Sequence, residues 1–293
     1  MESEEKTKVY KPSRATRLFT VWRKLRRSKL AVTGFGIVLI IGFIALFAPI
    51  IAPHGPKWLE APARLPPSPE YPFGTDAWGR DLFSLVIYGS RISLYVGLAA
   101  VSLEVLIGVS LGMIAGYFGG IIDEILMRLT DVIMTLPELM FLIVLVALFG
   151  VTSVHVIVFV MGIIGWPFIA RVVRSEFLSL RERTYVEAAQ SMGASSWRVI
   201  IHHILPNTLS TIVVLATMEI PWYIFYEASL TFLGFGDRTS PSWGVLLEMG
   251  YTYIRQQWWM ITFPGLALFF TSLGFNLFGD GLRDALDVKI REQ

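Results

Sequence analysis

The sequence predicts an all-α membrane protein with six transmembrane helices. Two observations point there. The 293 residues are 54% hydrophobic and only 16% charged, whereas a soluble domain averages about 25% charged residues and needs them to cover its surface. The hydrophobic residues are also gathered into long runs without a charge, and a spanning helix needs about 20 such residues in succession. The mean hydropathy is +0.59.

The elements follow in order. Residues 1–29 form a basic segment with ten Lys/Arg against three Glu. Residues 30–56 contain no Asp, Glu, Lys or Arg, and the apolar part predicts a first helix over 30–53 that ends at Pro53. The stretch that follows, to residue 91, is rich in proline and polar residues and reads as a loop. Residues 92–122 carry a single charge, Glu104, and predict a second span. No charge occurs from Leu139 to Ala170, but FGVTS at 149–153 is a turn signal, so this run splits into a hairpin of spans over 132–150 and 154–172. A fifth span is expected over 207–233 and a sixth over 257–279. In domain terms these are a basic segment (1–29), a first helix (30–53), an external loop (54–91), a five-helix core (92–280) and a tail (281–293).

Orientation follows from the excess of Lys/Arg on the cytoplasmic side of membrane proteins. With the N-terminus inside, the cytoplasmic pieces hold 19 Lys/Arg and the outer pieces 6. Both termini are therefore expected in the cytoplasm. The basic N-terminus has a sufficient explanation in topology and anionic lipid, so no nucleic-acid partner is inferred. RRSKL at 26–30 precedes an apolar run too long for an export signal, and no small-residue cleavage site follows it. Trp222, Trp243, Trp258, Trp259, Tyr251 and Tyr253 fall near predicted span ends and read as interfacial anchors.

Several function classes are excluded. There is no cysteine, hence no disulfide or thiolate metal site. The only lysine after position 57 is Lys289, so the chain has no phosphate-binding lysine in a glycine-rich loop and does not bind ATP in that manner. GVSLG at 108–112 matches a nucleophile-elbow pattern, but Ser110 is inside a span rather than on a strand–turn–helix elbow. Gly108, Gly112 and Gly116 instead recur every four residues, a small-residue face for close helix packing. His202 and His203 diverge by about 100° on a helix and cannot ligate one metal together. Glu104, Glu138, Glu219 and Glu227 fall in or near spans. Ionisable groups there are costly, which makes each a candidate for the translocation path or for structural hydrogen bonding between helices.

Between the fourth and fifth spans stands YVEAAQSMGASSWRVIIHHILPN, residues 185–207. Tyr185–Met192 favours a helix, and Gly193 can take the left-handed conformation that ends it. Ser195 or Ser196 can cap a second turn over Trp197–Ile204, which Pro206 is expected to stop. Two short helices at an angle, with small residues and one fixed charge, have the shape of a docking element.

The spacing of Glu187, Ala188, Ala189 and Gly193, with Leu205 and Pro206 downstream, resembles the EAA loop of bacterial and archaeal ABC importer permeases. That pattern usually has Ile two residues before the Leu; here His203 stands there, a variation that leaves the docking role in place. FGTDAWGRDLFSLVIYGSRISLYVG (73–97), GYFGGIIDEILMRLTDVIMTLPEL (116–139) and EASLTFLGFG with PSWG (227–244) are similar to the peptide/nickel importer group, and within it to the shorter, C-type permease. The likeness runs from about residue 30 to the end.

The resemblance implies a type I ABC importer permease fold in which segment 185–206 is the coupling helix. It implies a second, homologous permease, two ATP-binding cassette ATPases that bind the ATP and Mg, and an extracytoplasmic solute-binding protein. The chain itself would hold no cofactor and do no covalent chemistry. Peptides are the implied cargo, with oligosaccharide or nickel as alternatives. A secondary transporter or channel is the rival class; it would need an ion-coupling constellation or an inverted repeat, and neither is visible.

Overall fold

The computed structural model describes residues 22–57, 59, 61–150 and 153–286. Most of the basic segment, Lys289 and the end of the tail lie outside them. Among the described residues there is no strand, only an isolated bridge between Thr75 and Asp81. The helices are α1 (Lys29–Leu46), α2 (Ala48–Ile51), α3 (Leu82–Phe118), α4 (Gly120–Met134), α5 (Glu138–Phe149), α6 (Val154–Arg181), α7 (Thr184–Ser191), α8 (Ser196–Val199), α9 (Leu205–Phe232), α10 (Trp243–Thr252) and α11 (Trp259–Leu286). A π-helical turn, Ile200–Ile204, joins α8 to α9.

α3 and α6 form the central pair, and the glycine face predicted in the sequence is their seam. A Cβ on Gly108 would lie 2.7 Å from that of Ile169, one on Gly112 would lie 2.5 Å from the Ala170 carbonyl, and one on Gly116 would lie 2.6 Å from the Phe177 Cβ. Gly162 on α6 receives Leu103 in the same way. Residue numbers rise together along both helices, so the pair is parallel. Ser110 is not an exposed nucleophile: its hydroxyl donates to the Leu106 carbonyl one turn back, at 2.6 Å.

A parallel pair requires the chain to cross back between its members. α4 and α5 make that crossing, but not as the straight helix expected over 132–150. They meet at 90°. Pro137 is extended (φ −61°, ψ 112°), and a residue before proline is driven out of the helical region; the ladder therefore breaks at Thr135–Leu136. α5 has 12 residues, about 18 Å of rise, short of a hydrocarbon core of about 30 Å. α4 lies across the end of α6, where Arg174 grips Asp123 with both arms (Nη2 to Oδ2, 2.6 Å) and Arg171 reaches Asp131 at 2.9 Å. Its Ile121, Ile122, Ile125, Leu129 and Val132 face outward.

The second span also differs in its limits. α3 begins at Leu82 rather than 92 because Asp81 caps it, accepting from the Phe83 and Ser84 amides. It ends at Phe118 rather than 122 because Gly119 and Gly120 take positive φ, 65° and 57°. Five helical segments are long and apolar enough to cross a membrane, and the bent pair α4–α5 supplies the sixth crossing among the described residues. α1 packs antiparallel to α11: Ala31 sits against Gly281, Gly34 against Phe278 and Ile37 against Gly274. The start of α1 and the end of α11 therefore share a side. Exposed Leu39, Ile40, Phe43, Leu106, Phe269 and Phe270 form apolar outer faces suited to lipid.

The proline-rich segment is built rather than slack. The Thr75 hydroxyl accepts from the Leu65 amide and donates to the Pro62 carbonyl. Asp76 takes the amides of Trp78 and Arg80 and the Arg80 guanidinium. Asp237, in the loop after α9, opposes the upward pull of burial with hydrogen bonds from Thr239, Val154 and Ser240. These hold its carboxyl below the usual carboxylate range.

Two of the tryptophans read as interfacial anchors are core residues instead. Trp243 is 2% exposed and Trp259 6%. Their indole N–H groups donate to the Val86 and Thr75 carbonyls at 3.0 and 3.1 Å. A buried indole must find such an acceptor, and Gly89 gives Trp243 the room to reach it. Trp222 and Trp258 remain exposed.

Candidate functional site

Segment 184–205 is a hinge-like pair of short helices seated on the ends of α3, α6 and α9. α7 ends in a Schellman motif: the Gly193 amide donates to the Gln190 carbonyl at 2.9 Å and the Ala194 amide to the Ala189 carbonyl at 3.1 Å. Gly193 supplies the left-handed residue at φ 83°. Ser195 then caps α8 by accepting from the Arg198 amide.

The two faces of this segment differ. Val186, Val199, Ile200 and Ile204 are buried in a second hydrophobic cluster with Tyr117, Ile169, Val173, Phe177 and Ile212, and Ala189 is buried as well. Glu187, Ala188, Met192, Gly193 and Trp197 are exposed, Met192 at 82%. Of the alanine pair, Ala189 roots the helix and Ala188 faces out. Arg181 ties the approach by donating to the Tyr117 carbonyl at 2.9 Å. Leu205 and Pro206 are half-buried at the start of α9.

Pro206 does not stop the helix as expected. It sits in the first turn of α9, and the chain runs on from Ser196 to Phe232. The π turn accounts for this. Leu205 bonds back to Ile200, five residues earlier, and the widened turn makes room for a ring that would clash with the carbonyl four residues back. The Asn207 side chain satisfies the His203 carbonyl at 2.7 Å. The histidines bind nothing together: His203 is half-buried in the π turn and His202 faces out. Among the described residues no group of three His, Asp or Glu side chains could hold a metal ion.

The intramembrane carboxylates separate into one structural residue and one cluster. Glu227 is 2% exposed and joins α9 to the cap of α10, its Oε1 accepting from Ser242 at 2.6 Å and Thr231 at 3.0 Å. Glu104 on α3, Glu138 at the start of α5 and Glu219 on α9 come within electrostatic reach of one another. Tyr226 donates to Glu138 at 2.9 Å. The Tyr223 hydroxyl faces Glu104 across the space left open by Gly165. The two tyrosines were not singled out in the sequence. Their signal was there: Glu219, Tyr223 and Tyr226 follow at i, i+4 and i+7, one face of a helix.

Comparison with known proteins agrees with this architecture. Residues 108–292 match the family described as binding-protein-dependent transport system inner membrane component, and residues 16–67 match the N-terminal TM domain of oligopeptide transport permease C. The probable D,D-dipeptide transport system permease protein DdpC of Escherichia coli is 40% identical over 99% of this chain and 98% of its own length. The dipeptide transport system permease protein DppC of Bacillus subtilis is 41% identical over 92% of this chain and 85% of its own. The glutathione transport system permease protein GsiD of Pectobacterium atrosepticum is 40% identical over 92% and 90%. The helical membrane-spanning bundle and these matches lead to one conclusion: the chain belongs to the family of inner-membrane permease components of binding-protein-dependent transport systems.

Proposed function

We propose that this chain is the C-type permease of an ATP-driven peptide importer in the cytoplasmic membrane of a bacterium or archaeon, with segment 185–206 as its coupling helix. One observation carries the reading. The segment exposes Glu187, Ala188 and Trp197 while its other face is locked into the cores of α3, α6 and α9. A push on the exposed face is thereby delivered to three crossings at once.

Two ATPase subunits, which bind the ATP and Mg, dock at such segments on this chain and on a second, homologous permease. A solute-binding protein delivers cargo on the opposite side. The distribution of Lys/Arg supports cytoplasmic termini, consistent with the start of α1 and the end of α11 sharing a side. The relatives named for dipeptide and glutathione transport support peptides as cargo. Coupling then means that docked, ATP-closed ATPases bind one conformation of the permease pair more tightly than the other.

The test is Glu187→Lys in the transporter reconstituted with all its subunits. Glu187 is exposed, so the variant is expected to reach the membrane in normal amount on a quantitative blot. Uptake and cargo-stimulated ATP hydrolysis are expected to fall together. Full activity of both would overturn the coupling assignment.

A further inference from the structure

The acidic cluster is not explained by helix packing. Glu104 is 2% exposed and its Oε2 has no hydrogen-bond partner. It lies within electrostatic reach of Glu138 and Glu219, which are half-buried. Among the described residues no Lys or Arg is in hydrogen-bond contact with any of the three. Glu227 also leaves its Oε2 without a partner, but two hydroxyls hold its Oε1 and no other carboxylate bears on it.

Three carboxylates that face one another oppose their joint ionisation, and a charge in hydrocarbon is costly. They are relieved by taking up protons or by a cation that reaches the half-buried pair. That cation is not a metal ion, since among the described residues no group of three such side chains could hold one. They form a strip across α3, α5 and α9 that meets an ammonium one or two carboxylates at a time, with tyrosine oxygens as further acceptors.

We propose that Glu104, Glu138 and Glu219, backed by Tyr223 and Tyr226, receive the protonated amine of the cargo as it passes between the two permeases. This rests on the peptide-importer reading above. The chemistry belongs to any free N-terminal or side-chain amine, and a neutral sugar or an N-acylated peptide without a basic side chain lacks it.

Two measurements test it on the reconstituted transporter with all subunits. The first is uptake of a free-amine dipeptide library, read by mass spectrometry. Losing a charge-assisted hydrogen bond is worth about 1.5–3 kcal/mol, so the Glu138→Gln/Glu219→Gln double variant is expected to take up the library about tenfold more slowly or worse. Unchanged uptake overturns the proposal, and so does separation of the two permeases, which would assign the carboxylates to a contact between them. The second uses the wild-type protein, labelled at Glu104, Glu138 and Glu219 by dicyclohexylcarbodiimide. Phenylalanine amide is expected to slow this labelling and N-acetylphenylalanine amide is not; equal protection by both overturns the proposal. A wild-type transporter that imports no dipeptide while phenylalanine amide still protects refutes the peptide reading and leaves the amine site standing.

Discussion

At Gly193 the constraint is torsional. Its φ is 83°, and a Cβ there would meet no atom within 4 Å. A β-branched residue is strained in this region, whereas Asn is among the residues that enter it most readily. Gly193→Val is expected to cost the turn about 1–2 kcal/mol and to misplace the exposed face of α7. Gly193→Asn is expected to keep most of the function. The measurement is uptake and stimulated ATP hydrolysis in reconstituted complexes at matched protein amount. If Val and Asn behave alike, the left-handed turn is not what positions the segment. The need for glycine here was legible from the sequence. The division of labour between Ala188 and Ala189 was not, because which side of a short helix is buried depends on Val173, Phe177 and Ile212, far away in the chain.

At the scale of elements, the α3–α6 seam is the most constrained feature. Gly112 meets the Ala170 backbone and the Val173 Cβ, at 2.5 and 2.9 Å from the position a Cβ would take. Backbone atoms cannot rotate aside. Gly112→Leu is therefore expected to separate the helices at a cost of about 3 kcal/mol or more, beyond ordinary overpacking. Size-exclusion chromatography and the melting temperature of the solubilised complex measure this. An unchanged melting temperature would mean that the seam opens freely. The four-residue glycine spacing announced a packing face, but it could not name α6 as the partner or make the pair parallel. Pro137 and Pro206 carry the same lesson. One breaks a span and the other begins a helix, because a π turn stands before Pro206 and none before Pro137.

For the whole molecule, the alternation of crossings yields a labelling test. A native background without cysteine allows single cysteines at Gln256, in the exposed turn before α11, and at Ser196, at the start of α8. An impermeant thiol reagent applied to intact cells is expected to label Gln256→Cys and spare Ser196→Cys. The reverse pattern would invert the topology. Ser242 is no substitute for Gln256, because it is fully buried against Glu227.

The amino-acid sequence by itself determined that this chain spans a membrane as helices, roughly where the first, fourth, fifth and sixth crossings lie, and that the segment around Gly193 breaks into two short helices. Those properties depend on local hydrophobicity, turn chemistry and charge balance, which neighbouring residues settle among themselves. Only the tertiary structure decided that the third crossing is bent, that Trp243 and Trp259 belong to the core, and that Glu227 is a structural link. Only the fold, too, brought Glu104, Glu138 and Glu219 together with Tyr223 and Tyr226. The physical reason is the same in each case. A charge or an indole inside a membrane is defined by its partners, and here those partners come from helices distant in the chain.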